Sequence, residues 1–83
     1  MVPYTDNGEF RTFSESLNVD ELLWHWDEED RTIKASSKSD WKFQFDNQCA
    51  FVLEDQEIFI KAGVWHRLIK GTGDLVIHIT RHS

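Results

Sequence analysis

Two histidines and one aspartate are the residues of this chain that are best suited to bind a metal ion. His25 and Asp27 are separated by one residue, so a β-strand at this point would place both side chains on the same face. His66 comes three residues after Gly63, where the pattern predicts a strand, a tight glycine turn and a second strand. Two imidazoles and one carboxylate bind divalent transition metals and leave coordination positions open, as in non-haem iron sites. The three side chains therefore predict a metal site if they converge.

The same three residues also have a purely structural interpretation. Both histidines are next to tryptophans, namely Trp24, Trp26 and Trp65. A histidine in such a place is often a hydrogen-bonded residue of the core or of its rim. Asp27 begins an acidic run that ends at Asp30, and such runs are usually solvated turns. The residues alone leave both interpretations open.

Two longer segments resemble a known family. Residues Asp55–His66 resemble the second motif of the cupin superfamily, in which a glycine turn and a histidine lie between two strands. Residues His25–Arg31 resemble the first cupin motif in a degraded form. The resemblance implies an all-β fold, a small cupin-like β-barrel or double-stranded β-helix. Cupins include isomerases, dioxygenases, sugar-binding modules and storage proteins, so the resemblance does not name a reaction.

Several shorter runs are similar to the very small cupin-like proteins of tailed bacteriophages. These runs are Trp24–Arg31, Trp41–Asp46, His66–Gly71 and Asp74–Val76. The similarity spans roughly residues 21–80, which is most of the chain. If the chain is encoded by a bacteriophage, the similarity implies a protein of the host cytoplasm.

The chain departs from the cupin pattern at the ligand positions. Asp27 takes the place of the second histidine of the first motif, and Arg31 falls near the place of its glutamate. The resemblance therefore implies a three-ligand site made of His25, Asp27 and His66. Iron, zinc, manganese or nickel would fit such ligands.

A small-molecule pocket is expected beside these ligands. Its lining would consist of nearby aromatic residues, which are Trp24, Trp26, Phe43, Phe45 and Trp65. Asp30 and Arg31 would support the ligand residues or hold an anionic ligand. An apolar concave site with a few convergent polar groups is the usual form of a small-molecule pocket.

His78 is a candidate for an additional ligand, and its position depends on one loop. Segments 66–70 and 74–80 are predicted to form a hairpin. A two- or four-residue loop pairs His66 with Ile77 and turns His78 to the other face. A three-residue loop brings His78 beside His66. The sequence leaves the two registers open.

The remaining segments predict a small β domain. Residues 1–8 are polar and predict a loose N-terminal lead, whereas residues 9–18 predict a short helix or a segment that covers the core. The barrel is expected within residues 21–80. Its alternating segments predict strands near residues 21–26, 31–35, 41–45, 50–53, 57–61, 66–70 and 74–80.

Length and charge restrict the class of protein. The chain has 83 residues and a formal net charge of −6, so we expect one domain and no nucleic-acid interface, which needs a basic face. No apolar run approaches the roughly 20 residues of a membrane span. The single Cys49 gives no sign of an oxidising compartment. We therefore expect a cytoplasmic protein, and a homodimer, because so small a domain gains core by pairing.

Three functions are consistent with these residues. The first is a small metal-binding or ligand-binding protein of the cupin type. The second is an enzyme, a non-haem Fe(II) oxygenase that uses His25, Asp27 and His66. The third is an acidic module that binds a host protein and has no metal. A metal assay separates the third function from the other two, and a turnover assay separates the first from the second.

Overall fold

The computed structural model describes residues 5–7, 9–16, 18, 22–36 and 38–82. In this part of the chain the protein has eight strands and no helix. The strands are β1 (Thr5–Asn7), β2 (Phe10–Phe13), β3 (Asp30–Ala35), β4 (Lys42–Phe45), β5 (Phe51–Val52), β6 (Glu57–Ile60), β7 (His66–Ile69) and β8 (Leu75–His82). No helix among these residues is long and apolar enough to cross a membrane.

The strands form two antiparallel sheets. The larger sheet has five strands in the order β1-β2-β8-β3-β6, and the smaller has three in the order β5-β4-β7. This arrangement confirms the predicted all-β fold class and is consistent with a small cupin-like barrel.

The larger sheet buries one face because its strands alternate in hydrophobicity. In β8 the buried residues are Leu75, Ile77 and Ile79, and in β6 they are Ile58 and Ile60. Successive side chains of a strand point to opposite faces, so a period of two selects one face for the core.

The smaller sheet covers that face with aromatic rings. Trp41, which precedes β4, is 0% exposed, and Phe43 in β4 is buried as well. The ring centroids of Trp41 and Phe13 of the larger sheet lie 6.1 Å apart. The apolar core therefore lies between the two sheets.

The N-terminal part differs from the sequence prediction. Residues Phe10–Phe13 form β2, which pairs with β8, so the helical alternative for 9–18 is wrong at these positions. The strand is favoured because β8 offers a partner edge, which the local spacing of aromatic residues cannot reveal. Within the predicted loose lead, residues Thr5–Asn7 form β1 on the edge of the same sheet. Residues 1–4 and 8 lie outside the described part.

The predicted hairpin of 66–70 with 74–80 is also wrong. Strand β7 pairs with β4 in the smaller sheet, whereas β8 pairs with β2 and β3 in the larger sheet. The connection between β7 and β8 therefore passes from one sheet to the other. Pairing is decided by contacts distant in sequence, and two alternating segments joined by a glycine-rich loop do not specify it.

This connection is held tightly at the end of β7 away from His66. The Asp40 carboxylate accepts hydrogen bonds from Thr72 N (2.7 Å) and Thr72 Oγ1 (2.8 Å). These bonds lower the pKa of Asp40 below its usual value. The backbone at Gly71 lies against Asp40 and Trp41 so closely that a Cβ there would collide with both. Trp41 Nε1 donates to Gly73 O at 2.9 Å, which joins the residue before β4 to this connection.

A strand predicted for 21–26 is not formed over residues 22–26. In that segment His25 alone pairs, as an isolated bridge to His66. Residue 21 lies outside the described part. The next segment to enter a sheet is β3, which begins at Asp30.

Candidate metal centre

The two histidines are brought together by their own backbones. His25 N donates to His66 O at 3.0 Å, and His66 N donates to His25 O at 2.9 Å. Residues that exchange both bonds across an antiparallel pair project their side chains to the same side. The imidazole centroids accordingly lie 4.3 Å apart, with an angle of 69° between the rings.

Asp27 reaches the same point from the His25 segment. Its Oδ2 lies 3.3 Å from His66 Nε2. The glycine turn helps to hold it there, because Gly63 N donates to Asp27 O at 2.9 Å. Gly63 has φ of 81°, a conformation that residues with a Cβ rarely adopt. The turn therefore positions both His66 and the carboxylate.

Both imidazoles are oriented in the same way. His66 Nδ1 lies 2.8 Å from Val64 O, and His25 Nδ1 lies 3.1 Å from Leu23 O. A carbonyl oxygen can only accept, so each Nδ1 carries the proton and donates it. In the neutral form each Nε2 then keeps a free lone pair. Metal-binding histidines are commonly oriented in this manner by a hydrogen bond on the other nitrogen.

The surroundings of His66 favour the neutral imidazole. Burial is the main cause that lowers the pKa of His66, while the Val64 carbonyl acts in the opposite direction. His25 and Arg31 lower this pKa further, and Asp27 raises it. Neutral imidazole is the form that binds metals.

Three ligand atoms converge as a result. One atom from each of His25, Asp27 and His66 can be chosen such that all lie within 4.8 Å of one another. Tetrahedral zinc with bonds of about 2.0–2.1 Å holds its ligand atoms about 3.4 Å apart. The Asp27–His66 pair already has that spacing. His66 Nε2 and Asp27 Oδ2 are both acceptors when His66 is neutral, so a cation between them removes their repulsion.

Arg31 supports the carboxylate. Its Nη1 lies 3.2 Å from Asp27 Oδ1, and its Nε and Nη2 both donate to Glu29 Oε1, at 3.0 and 2.8 Å. The guanidinium thus holds one oxygen of Asp27 and leaves the other toward His66. Asp30 has a different role. Its Oδ1 accepts a hydrogen bond from Ala62 N at 2.8 Å, which fixes the chain between β6 and β7.

A cavity of about 50 Å³ borders the three residues. Its polar lining consists of His25, Asp27, His66, Arg31 and Arg11. Its apolar lining comes from both sheets, namely Phe13, Ile33, Phe43, Ile60, Leu68, Ile77 and Ile79. Phe43 stacks on His66, with ring centroids 5.4 Å apart and an interplanar angle of 18°.

The predicted tryptophan lining is wrong for this cavity. Trp24, Trp26 and Trp65 are 37%, 46% and 47% exposed. Each is next to a histidine that points inward, so its own side chain points away from the cavity. Trp24 instead packs against Arg67, whose guanidinium carbon lies 4.8 Å from the ring centroid.

Two further predicted residues do not line the cavity. Phe45 packs against Phe43, with ring centroids 5.0 Å apart. His78 lies on β8 between the buried residues Ile77 and Ile79, and therefore faces the other side of the sheet. Its Nε2 lies 3.2 Å from Glu9 Oε2, away from the three converging ligands.

Arg11 is a polar residue of the cavity that the sequence prediction missed. The helical alternative for 9–18 concealed the alternation of Arg11 and Phe13, which share one face of β2. Treating Phe10–Phe13 as a strand would have placed an arginine on the same face as a core phenylalanine. That unusual placement is the signal that could have identified it.

Comparisons with known proteins support the fold alone. No family model matches the chain, and no curated protein matches it. Among solved structures, that of protein NMB1881 from Neisseria meningitidis is similar, with a TM-score of 0.59 and 17% sequence identity. The match covers 96% of this chain and 80% of that chain.

Proposed function

We propose that the protein is a small cupin-like metal-binding protein. One divalent transition metal is held by His25 Nε2, His66 Nε2 and the Asp27 carboxylate. The observation that carries the proposal is the matched orientation of the two imidazoles. Each Nδ1 is engaged by a backbone carbonyl two residues earlier, so both Nε2 atoms are available beside one carboxylate.

The ligand types favour borderline metals. Two imidazole nitrogens and one carboxylate suit zinc, iron, nickel or manganese, and three protein ligands leave at least one position open. The cavity borders the three ligand residues and is lined mainly by apolar side chains. An open position beside an apolar cavity suits the binding of a small molecule at the metal.

Calorimetric titration with Zn²⁺ tests the proposal on protein purified without a histidine tag. Changing residues around a ligand already costs about 10–100-fold in metal affinity, so we expect His25→Ala and His66→Ala to lose more than about 100-fold. His78→Ala is the matched control, because this histidine also contacts a carboxylate but faces away from the site. Unchanged affinity in both ligand variants would overturn the proposed site.

An iron-dependent oxygenase is the second candidate, and the open position is the observation that favours it. Iron(II) held by these ligands would supply oxygen activation, while the chain itself would position the metal and exclude water from the apolar cavity. Oxygen consumption by the Fe(II)-loaded protein, screened with small organic substrates, tests this candidate. Metal binding without any turnover would leave the binding protein as the function.

A further inference from the structure

Strand β6 lies at one edge of the larger sheet. It pairs with β3 on one side, and none of the other described strands pairs with it. Edge strands present backbone N–H and C=O groups to which another strand can add, and proteins often protect them with proline, bulges or charged side chains. The centre of β6, Ile58–Ile60, contains neither a proline nor a charge. This edge is therefore suited to accept a further strand.

The backbone groups that face this edge follow from the pairing on the far side of β3. Ser36 N donates to Val76 O at 2.9 Å, so the backbone of Ser36 bonds toward β8. Backbone groups alternate between the two neighbours along an antiparallel strand, so Ile33 bonds toward β6, where its partner is Ile58. The same alternation along β6 turns the N–H and C=O groups of Phe59 to the open edge.

The side chains of this segment alternate as well. Glu57, Phe59 and Lys61 are exposed, whereas Ile58 and Ile60 are buried. Phe59 is 57% exposed, although it lies near the middle of the strand. The outer surface of the edge therefore carries a phenylalanine with a carboxylate two residues before it and an ammonium group two residues after it.

These two charges are not balanced within the described part of the chain. Lys34 is the cross-strand neighbour of Glu57, but its ion pair is with Asp55, at 3.1 Å. None of the ion pairs among the described residues includes Glu57 or Lys61. Both side chains are thus available to a partner strand.

The edge is complementary to itself. When two copies of β6 pair antiparallel with Phe59 opposite Phe59, Glu57 of each copy lies opposite Lys61 of the other, because both are two residues from the centre. Ile58 lies opposite Ile60 in the same way. Aromatic pairs and opposite charges directly across an antiparallel pair are favourable. Any shift of the register moves Glu57 away from Lys61, so the charges select this one.

We propose that two copies of this chain form a homodimer through β6, which joins the two larger sheets into one sheet of ten strands. The twofold axis passes through the Phe59 pair. The net charge of −6 on each copy opposes association, so the two Glu57–Lys61 pairs supply the local complementarity. The dimer is independent of the proposed metal site, because Glu57, Phe59 and Lys61 do not line the cavity.

Sedimentation equilibrium over a series of protein concentrations, with a chelator present, tests the dimer. We expect the parent chain to dimerise as its concentration rises. Glu57→Lys and Lys61→Glu each place like charges opposite each other twice, so each should weaken the dimer by about tenfold or more. The double variant with both substitutions restores two opposite-charge pairs, and its dimer should be as strong as that of the parent chain.

The design separates local pairing from overall charge. The two single variants change the net charge in opposite directions, and the double variant keeps it. A general charge effect would therefore strengthen the dimer in Glu57→Lys and weaken it in Lys61→Glu. Lys42→Glu is the matched control, because Lys42 is exposed on β4 in the smaller sheet. It should change the dimer far less than Lys61→Glu does.

Disulfide formation tests the register. Cys49 is exposed, so Cys49→Ser provides the background. Phe59→Cys then places two thiols opposite each other, with Cα atoms about 5.5 Å apart, a distance that a disulfide spans. Glu57→Cys is the control, because the two copies of residue 57 would lie about 13 Å apart along the paired strands. Mild oxidation should cross-link the first variant and leave the second largely uncross-linked.

Four outcomes would overturn the proposal. The first is a parent chain that stays monomeric at every concentration. The second is a dimer of parental strength in both single variants, which places the interface elsewhere. The third is a double variant as weak as the single ones, which refutes the pairing of Glu57 with Lys61. The fourth is equal cross-linking at positions 57 and 59. All the charge substitutions lie at exposed positions, so the tests do not depend on altering the core.

Discussion

Two clusters in this molecule have almost the same composition and opposite surroundings. The inner cluster consists of Phe43, His66 and Asp27, with an imidazole–carboxylate distance of 3.3 Å. The outer cluster consists of Phe10, His78 and Glu9, with a distance of 3.2 Å. Each imidazole contacts one phenylalanine ring and one carboxylate.

Burial and a second imidazole separate the two clusters. The side chains of His66 and Asp27 are 4% and 11% exposed, whereas those of His78 and Glu9 are 39% and 74% exposed. His25 adds a second nitrogen to the inner cluster alone. Exposed ion pairs contribute little because water and salt screen them. The difference teaches that a histidine–carboxylate contact alone does not mark a candidate site. Burial and a third converging side chain are what distinguish the inner cluster.

The largest difference between the clusters should be in stability. Phe43→Ala removes a buried ring and should lower the free energy of unfolding by about 3–5 kcal/mol. Phe10 is 43% exposed, so Phe10→Ala should cost no more than about 1 kcal/mol. Urea denaturation measures both values. Equal losses in the two variants would show that the outer face is buried in solution, for example against a second copy.

Metal-dependent stabilisation should belong to the inner cluster. A metal that binds the native state at 100 times its dissociation constant raises the free energy of unfolding by about 2.7 kcal/mol. We expect this gain with Zn²⁺ in the parent protein and in His78→Ala, and its loss in His66→Ala. Thermal melts with and without Zn²⁺ measure it. A gain that survives in His66→Ala would place the metal elsewhere.

The pH dependence of the metal-free protein should also follow His66. Because burial lowers the pKa of His66 in the native state, the unfolded chain binds more protons just below about pH 6.5. The free energy of unfolding should therefore be at its maximum above that pH, and it should fall as the pH is lowered toward the native pKa of His66. The slope for one group cannot exceed about 1.4 kcal/mol per pH unit.

Urea titrations between pH 5 and pH 8, in the presence of a chelator, measure this slope. His66→Gln should flatten the profile, and His78→Ala should leave it as in the parent protein. A steeper loss of stability toward low pH in His66→Gln would contradict the assignment.

The smallest effect is expected for the outer carboxylate. Glu9→Gln removes the charge that faces His78 and should change the free energy of unfolding by less than about 0.5 kcal/mol. Asp27→Asn is its inner counterpart and should abolish most of the Zn²⁺-dependent stabilisation. The comparison fails if the two substitutions have the same effect on Zn²⁺ binding.

Much of the fold from β3 onward was predictable because a strand can follow from its own alternation. The buried face of β8 is visible in Leu75, Ile77 and Ile79, since period two requires no knowledge of the partner strand. The pairing of β7 was not predictable in this way. It depends on β4, more than twenty residues earlier, and the glycine-rich loop before β8 suggested a nearer partner.

The convergence of the candidate ligands was predictable for a similar reason. The spacing of His25 and Asp27 suggested a shared face, although only an isolated bridge forms at His25, and the glycine turn marks the entry of His66. The cavity lining was harder to predict. Tryptophan usually indicates burial, but the neighbouring histidines point into the cavity, so the tryptophan side chains point away from it. Arg11 was missed since its orientation depends on β2 pairing with β8.

The backbone bridge between His25 and His66 lowers the entropic cost of bringing the two imidazoles together. About forty residues separate the two histidines in sequence. In the unfolded chain a metal could join them only by closing that loop, at a cost of roughly 4 kcal/mol in the chain-entropy treatment of cross-links. In the folded chain the two backbone hydrogen bonds have already closed it. A metal bound by this pair would therefore discriminate between the native and unfolded forms of one polypeptide, although both contain the same ligands.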